Sequence, residues 1–245
     1  MSGPGSPAPV TPTTARALAF VDDLDRPRLS PADHHHLSRV LRLSPGDDVA
    51  IGDGAGRWRP GRLTAGSDVA PAGEVVADAR PDPAITVAFA LVKGERPELA
   101  VQKLTELGVD RIVPFTAERS VVRWDGAKAA RQGVRLAEIA RGAAMQCRRT
   151  WLPQVDALST FPALASLPGA ALADGDGVPP SLRHPTVLVG PEGGWGPTER
   201  AFGLPHVVIA THMVRSETAA ITVGALLVAL RSQIVTEGTQ NHHMR

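Results

Sequence analysis

Thr186-Val187-Leu188-Val189-Gly190-Pro191-Glu192-Gly193-Gly194 is a short β-type apolar run that ends in a glycine loop. A second stretch repeats the plan: His206-Val207-Val208-Ile209-Ala210 leads through Thr211-His212-Met213-Val214 to Arg215-Ser216-Glu217-Thr218-Ala219. Each opens into a helix-like segment. Glycine at the C-terminal end of a strand lets backbone groups approach a ligand that any Cβ would exclude. Two such loops on neighbouring strands would form one pocket, the expected seat of a small cofactor in an open α/β sheet.

Working outward, the region from Ala84 alternates strand and helix. The pattern predicts a strand over Ile85–Val92, a helix over Glu95–Leu107 closed by Gly108, and a strand over Val109–Phe115. A long helix over Ala127–Cys147 and a short strand over Ala170–Ala173 follow. A last helix over Ser216–Ile234 has apolar residues at Val223, Leu226, Leu227, Leu230 and Ile234. Alternating β and α argues for a mainly parallel sheet covered on both faces.

Residues 15–80 have a different rhythm. Short alternating stretches (Ala17–Val21, Asp48–Gly52, Arg57–Thr64, Gly73–Ala79) are divided by Gly, Pro and Asp turns, which predicts a small β-barrel or curled sheet. Ser30-Pro31 is an N-cap followed by proline in the first turn, and a helix over Ala32–Leu43 is expected. Arg80-Pro81-Asp82-Pro83 reads as a linker to a second domain over 84–236.

Bulk properties narrow the function classes. The chain has 245 residues and a net charge of +1, so nucleic-acid binding must rest on local patches. The single cysteine, Cys147, excludes an internal disulfide framework and fits a reducing, cytoplasmic setting. No apolar run has the length of a membrane span, and no membrane partner is expected. Met1–Thr14, rich in Pro, Ser, Gly and Thr, reads as a disordered tail, as does 237–245. His34-His35-His36 invites a metal, but successive helical positions diverge, so no metal site is assigned. Neither a Gly-x-Gly-x-x-Gly fingerprint nor a Gly-Lys-Ser/Thr phosphate loop is present.

Four blocks now add up. Lys93-Gly94, Lys103-Leu104-Thr105-Glu106-Leu107-Gly108-Val109 and Glu118-Arg119-Ser120-Val121 resemble the first conserved block of the RsmE family. Ala143-Ala144-Met145-Gln146-Cys147-Arg148-Arg149, ending at Pro153, resembles the second. Val189-Gly190-Pro191-Glu192-Gly193-Gly194 and Arg215-Ser216-Glu217-Thr218-Ala219-Ala220 resemble the third and fourth. The order is right, and the resemblance runs from about Ala15 to Ile234. It implies a SPOUT-type α/β domain with a parallel sheet and a trefoil knot, behind an N-terminal PUA-like β-barrel. It also implies a homodimer that uses S-adenosylmethionine to methylate N3 of one uridine, position 1498, in the 16S rRNA of the small ribosomal subunit. Ile209-Ala210 stands where the family usually carries Leu-Gly.

The residues suit that chemistry. Methyl transfer from a sulfonium gains most from alignment, and the imide N3 of uridine must lose a proton. A guanidinium beside the base favours the uracil anion, and a carboxylate can take the proton directly or through water. Arg215, Glu217, Arg119 and Glu106 are the catalytic candidates. Glu217 equally suits the first turn of the last helix, and Glu106 equally suits a pair with Lys103. For the cofactor, the resemblance points to Val189, Gly190, Pro191, Glu192, Gly193 and Gly194, and to Ala210, Met213, Val214, Arg215, Thr218 and Ala219.

Nine basic residues against three acidic ones lie between Arg111 and Arg149, a local excess far above the net charge of the chain. Arg123, Arg131, Arg135, Gln146, Arg148 and Arg149, together with Lys93, are the candidate RNA contacts there. Arg39, Arg42, Arg57 and Arg59 are candidates for a second RNA surface on the barrel. Two other readings remain open at the level of sequence: a related methyltransferase with another RNA target, and a non-catalytic RNA-binding assembly factor.

Overall fold

The computed structural model describes residues 10–94 and 96–236. The expected C-terminal tail and residues 1–9 of the expected N-terminal tail lie outside that range. Within residues 10–15 the Ala15 amide donates to the Thr11 carbonyl at 2.8 Å, closing a turn. Residues up to Arg80 together with Arg141–Leu152 form one compact unit, and the remainder forms a second.

The first unit contains β1 (Leu18–Phe20), α1 (Pro31–His35), β2 (Asp48–Gly52), β3 (Arg57–Leu63), β4 (Val69–Pro71) and β5 (Val76–Ala77). Its sheet runs β1-β2-β3-β4, with β5 also pairing β3; β1 and β2 are parallel and the other pairs antiparallel. Leu18, Leu37, Val49, Ile51, Trp58 and Leu63 build its core, joined by Ala144 and Met145 from the segment after Arg141. Ser30 caps α1 as expected, its Oγ accepting the Asp33 amide at 3.0 Å. The helix does not run regularly to Leu43. It widens to a π-type turn over His36–Val40, where the Leu41 amide reaches the His36 carbonyl, and Arg42 takes a φ of 55°. The Ser38 hydroxyl donates to the His34 carbonyl at 2.7 Å, a local bond that competes with regular helix.

Residues 141–152 depart from a simple division at the proline linker. Within the first unit Arg141 bonds Asp33 and the Phe20 carbonyl, Arg148 donates to the Arg16 carbonyl, and the Thr150 hydroxyl donates to Asp78.

The second unit contains β6 (Thr86–Ala90), α2 (Arg96–Leu107), β7 (Arg111–Thr116), α3 (Gly126–Cys147, whose end belongs to the first unit), β8 (Gln154–Val155) and β9 (Ser159–Thr160). After these come α4 (Phe161–Ala165), β10 (Ala170–Val178), β11 (Thr186–Val189), α5 (Pro197–Arg200), β12 (His206–Val207) and α6 (Ser216–Arg231). The sheet order is β12-β10-β11-β6-β7-β8, with β9 also on β7, and every pairing is parallel. Both faces are covered. Val87 and Phe89 of β6 enter one core with Leu104, Leu136 and Val223, while Ala88 and Ala90 enter another with Phe115, Phe161 and Trp195. That split is the period-two alternation of a strand buried on two sides.

The last helix buries Val223 and Leu227 as expected, but its buried face is completed by small residues, with Leu226 and Leu230 only partly buried. Ala219, Ala220, Val223, Gly224 and Leu227 are buried, whereas α6 stops at Arg231 and Ile234 is 76% exposed. Small residues permit close packing here: a Cβ on Gly224 would lie 2.5 Å from Leu104 Cδ2.

Candidate active site

A cavity of about 610 Å³ opens at the C-terminal ends of three strands, a size ordinary for a small-molecule site. The glycine loop after β11 contributes Gly190, Pro191, Glu192 and Gly194, following Val189. The stretch after β12 contributes Ile209 through Arg215, and α6 adds Ser216 and Ala219. The two loops do share one pocket, but their strands are not neighbours. Strand β10 lies between them. Its residues Ala173 and Val178 both pair with Val207, so Asp174–Gly177 bulge from the ladder, and Ala173, Asp174 and Gly175 complete the wall.

The floor is rigid. Trp195 is 3% exposed, lies parallel to Phe115 at 6.3 Å, and donates from Nε1 to the Ala173 carbonyl at 2.9 Å. A Cβ at Gly190 would sit 3.2 Å from the Trp195 indole, so glycine there keeps the loop on the ring. Gly194, with φ of 69°, turns the chain in the left-handed region. Ser216 at the start of α6 donates its hydroxyl to the Gly190 carbonyl, tying the two loops together. Among the described residues, the amides of Ile209–Val214 donate to no protein acceptor, leaving a row of N–H groups for the polar edge of a ligand.

Charges surround this frame unevenly. Arg215 is exposed on the cavity wall and makes no ion pair among the described residues. Asp174 is held by Arg200 at 2.9 Å and lies 3.5 Å from His206 Nδ1. Arg96, which sequence reasoning did not single out, pairs with Glu192 at 2.6 Å and approaches Glu217 at 3.5 Å. Arg119 donates to the Gly193 carbonyl, and buried Glu199 accepts the amides of Glu118 and Gly196. Among the described residues no cluster of three or more His, Cys, Asp or Glu could hold a metal ion.

Comparisons with known proteins identify the family. Residues 80–228 match the RNA methyltransferase domain family, and residues 29–68 match the RNA methyltransferase PUA domain. The ribosomal RNA small subunit methyltransferase E of Mycobacterium bovis is 32% identical over 220 residues, covering 78% of this chain and 82% of the relative. This chain belongs to the RsmE family. The RsmE-type enzyme of Neisseria gonorrhoeae, solved with S-adenosyl methionine, is 26% identical with a TM-score of 0.72, over 87% of this chain and 97% of that one. A putative methyltransferase of Legionella pneumophila, solved with bound SAM, is 26% identical with a TM-score of 0.73, over 86% and 96%.

Against this RsmE frame the predicted residues separate. Of the cofactor candidates, Gly193 and Thr218 do not line the cavity; Val189, Gly190, Pro191, Glu192, Gly194, Ala210, Met213, Val214, Arg215 and Ala219 do. Ala173, Asp174, Gly175 and Trp195 line it without having been predicted. Of the catalytic candidates, only Arg215 lines it; Glu217 lies behind the wall, next to the lining residue Ser216 and facing Arg96, and Arg119 bonds Gly193 of the glycine loop. Glu106 does not: it pairs with Lys103 at 2.8 Å on α2.

The RNA candidates Arg39, Arg42, Arg57, Lys93, Arg123, Arg131 and Gln146 are exposed. Arg135 is exposed too but pairs with Glu98 at 2.8 Å. Arg59 is committed elsewhere. Its side chain is 17% exposed, pairs with Asp25 at 3.1 Å and donates to the carbonyls of Gly73 and Leu24. Arg148 donates to the Arg16 carbonyl at 2.6 Å, and Arg149 is half-buried.

Proposed function

We propose that this protein transfers the methyl group of S-adenosylmethionine to N3 of one uridine, position 1498, in the 16S rRNA of the small ribosomal subunit. The observation that carries the reading is the glycine-framed cavity at the ends of β10, β11 and β12, in a chain of the RsmE family. A cytoplasmic homodimer and a trefoil knot belong to the same reading.

The residues present fit the cofactor. The free N–H groups of Ile209–Val214 suit the acceptor nitrogens of an adenine, and Ile209, Val214 and Ala219 offer apolar walls to its faces. Gly190 seats its loop against the Trp195 indole, which holds the cavity wall in place. When bound, S-adenosylmethionine supplies an electrophilic methyl on a sulfonium.

The chain's own residues then act on the nucleophile. Arg215, exposed on the cavity wall, places a cation beside the uracil, which favours the anion formed when the N3 proton departs. Glu217 is the carboxylate at the start of α6 that accepts that proton, directly or through one water. Arg119 holds the glycine loop and so fixes the approach geometry. The exposed arginines of α3 and of the first unit supply phosphate contacts, whose affinity falls with salt.

The test is methyl transfer from labelled S-adenosylmethionine to small ribosomal subunits that lack N3-methyluridine, read by nucleoside mass spectrometry. N3-methyluridine at the single expected site is the predicted result. Tight cofactor binding with no transfer to these subunits would redirect the reading to another RNA, and no cofactor binding to an assembly factor.

A further inference from the structure

One buried group near the cavity is left unsatisfied. The side chain of Glu217 is 10% exposed, its Oε1 lies 3.5 Å from Arg96 Nε, and its Oε2 is buried without a hydrogen-bond partner among the described residues. An ionised carboxylate oxygen that has left water without a donor is costly, so such atoms call for a specific explanation. The same Arg96 donates from Nη1 to Glu192 Oε1 at 2.6 Å, and Glu192 lines the cofactor cavity. One guanidinium therefore serves two carboxylates, one on the glycine loop and one on α6. Ordinary surface pairing does not account for this, because Glu192 is half exposed and already solvated, whereas Glu217 is enclosed.

We propose that Arg96 is a positioning residue for methyl transfer: by holding Oε1 of Glu217 and anchoring itself on Glu192, it leaves Oε2 as the atom that receives the uracil N3 proton. The inference rests on the reading given under Proposed function and deepens it. In the step, the N3–H bond breaks and its proton passes to Glu217 Oε2, directly or through one water. The electron pair left on N3 forms the new N–CH3 bond, and the pair of the broken S–CH3 bond stays on sulfur, which becomes a neutral thioether. No further reactant is needed. Arg96 does not line the cavity; an effect carried through Glu192 would fall on cofactor binding, whereas an effect on kcat passes through Glu217. Its fixed planar fork suits that task better than an ammonium would.

The test is a double-mutant cycle on the full-length protein with small subunits as substrate. Arg96→Gln is expected to lower kcat about tenfold or more, and Glu217→Gln about a hundredfold or more. The double variant should be no slower than Glu217→Gln, within about twofold, because a residue acting through Glu217 has nothing left to position. Arg96→Lys should recover at least about a third of the wild-type kcat, since the cation is retained. KM for subunits and the calorimetric Kd for S-adenosylmethionine in Arg96→Gln should stay within about threefold of wild type. Melting temperatures read alongside show whether each variant is folded; if Arg96→Gln is not, the cycle is run with Arg96→Met, which keeps the apolar stem and removes the charge. Losses that multiply in the double variant would overturn the inference, as would an effect confined to KM or Kd. If wild-type protein forms no N3-methyluridine, the functional reading falls and this inference with it. If it does and the losses multiply, only the role of Arg96 falls.

Discussion

The guanidinium of Arg119 donates to the carbonyl of Gly193 at 2.9 Å, joining residues 74 apart and fastening the glycine loop to the segment that follows β7. Gly193 leaves room for this: a Cβ there would already meet Arg119 Cβ at 3.4 Å. The bond makes Arg119 a loop anchor more than a group free to meet the base. A charged hydrogen bond at an exposed site is worth about 1 kcal/mol, so Arg119→Ala should raise the Kd for S-adenosylmethionine about three- to tenfold by calorimetry. A normal Kd with slowed turnover would instead put Arg119 in direct contact with RNA.

The parts of this site that were legible in the sequence are those with a local cause. Gly190, Gly194 and Arg215 stand at ends of apolar runs, where strand, turn and helix signals meet within ten residues. Asp174 and Gly175 escaped notice because their place depends on β10 lying between β11 and β12, an order that no local pattern encodes. Arg96 escaped for the same reason, since its partners Glu192, on the glycine loop, and Glu217, on α6, are distant in sequence. Glu106 was readable both ways, and its pairing with Lys103 three residues earlier is the local one. In α6, Val223 and Leu227 read correctly, while Leu226, Leu230 and Ile234 did not, because Gly224 packs closely on Leu104 of α2 and draws the helix in on the side of its small residues.

Gly190→Ala tests the rigidity of the cavity floor. The new methyl would lie 3.2 Å from the Trp195 indole, which cannot yield freely because its Nε1 bonds the Ala173 carbonyl and Phe115 stacks on it. Overpacking of this kind costs roughly 1–3 kcal/mol. The variant should melt several degrees lower and bind S-adenosylmethionine at least about tenfold more weakly. Wild-type affinity in a folded variant would show that the loop moves away from Trp195 at little cost.

Arg215→Ala separates fold from chemistry. Arg215 is exposed and bonds no described residue through its side chain, so its loss should move the melting temperature by no more than about 2 °C. Removal of a cation aimed at developing charge typically costs about 100- to 1,000-fold in kcat. Turnover should therefore fall below detection in a standard assay while circular dichroism is unchanged. Near-normal methylation would take Arg215 out of the mechanism.

Acid stability of the first unit should depend on one pair. Arg141 donates to both carboxylate oxygens of Asp33 at 2.8 Å, and Ser30 donates to Oδ2 at 2.6 Å. Burial by itself pushes the Asp33 carboxyl up, but the bonds from Arg141 and Ser30 outweigh it and hold the group below its ordinary value. A carboxyl depressed in the folded state stabilises the fold above its unfolded value of about 3.9 and ceases to do so as pH falls through the folded value. The stability difference between wild type and Asp33→Asn should therefore be constant from pH 7 to about 5 and shrink below about 4. Arg141→Ala behaves differently, because it leaves the carboxylate buried with burial now unopposed by the guanidinium. It should cost roughly 2–4 kcal/mol at pH 7, and part of that loss should be relieved on acidification, as the stranded carboxyl takes up a proton. Urea unfolding at pH 3, 5 and 7 measures all three proteins; a wild-type minus Asp33→Asn difference that does not narrow at pH 3 would remove Asp33 from the acid transition.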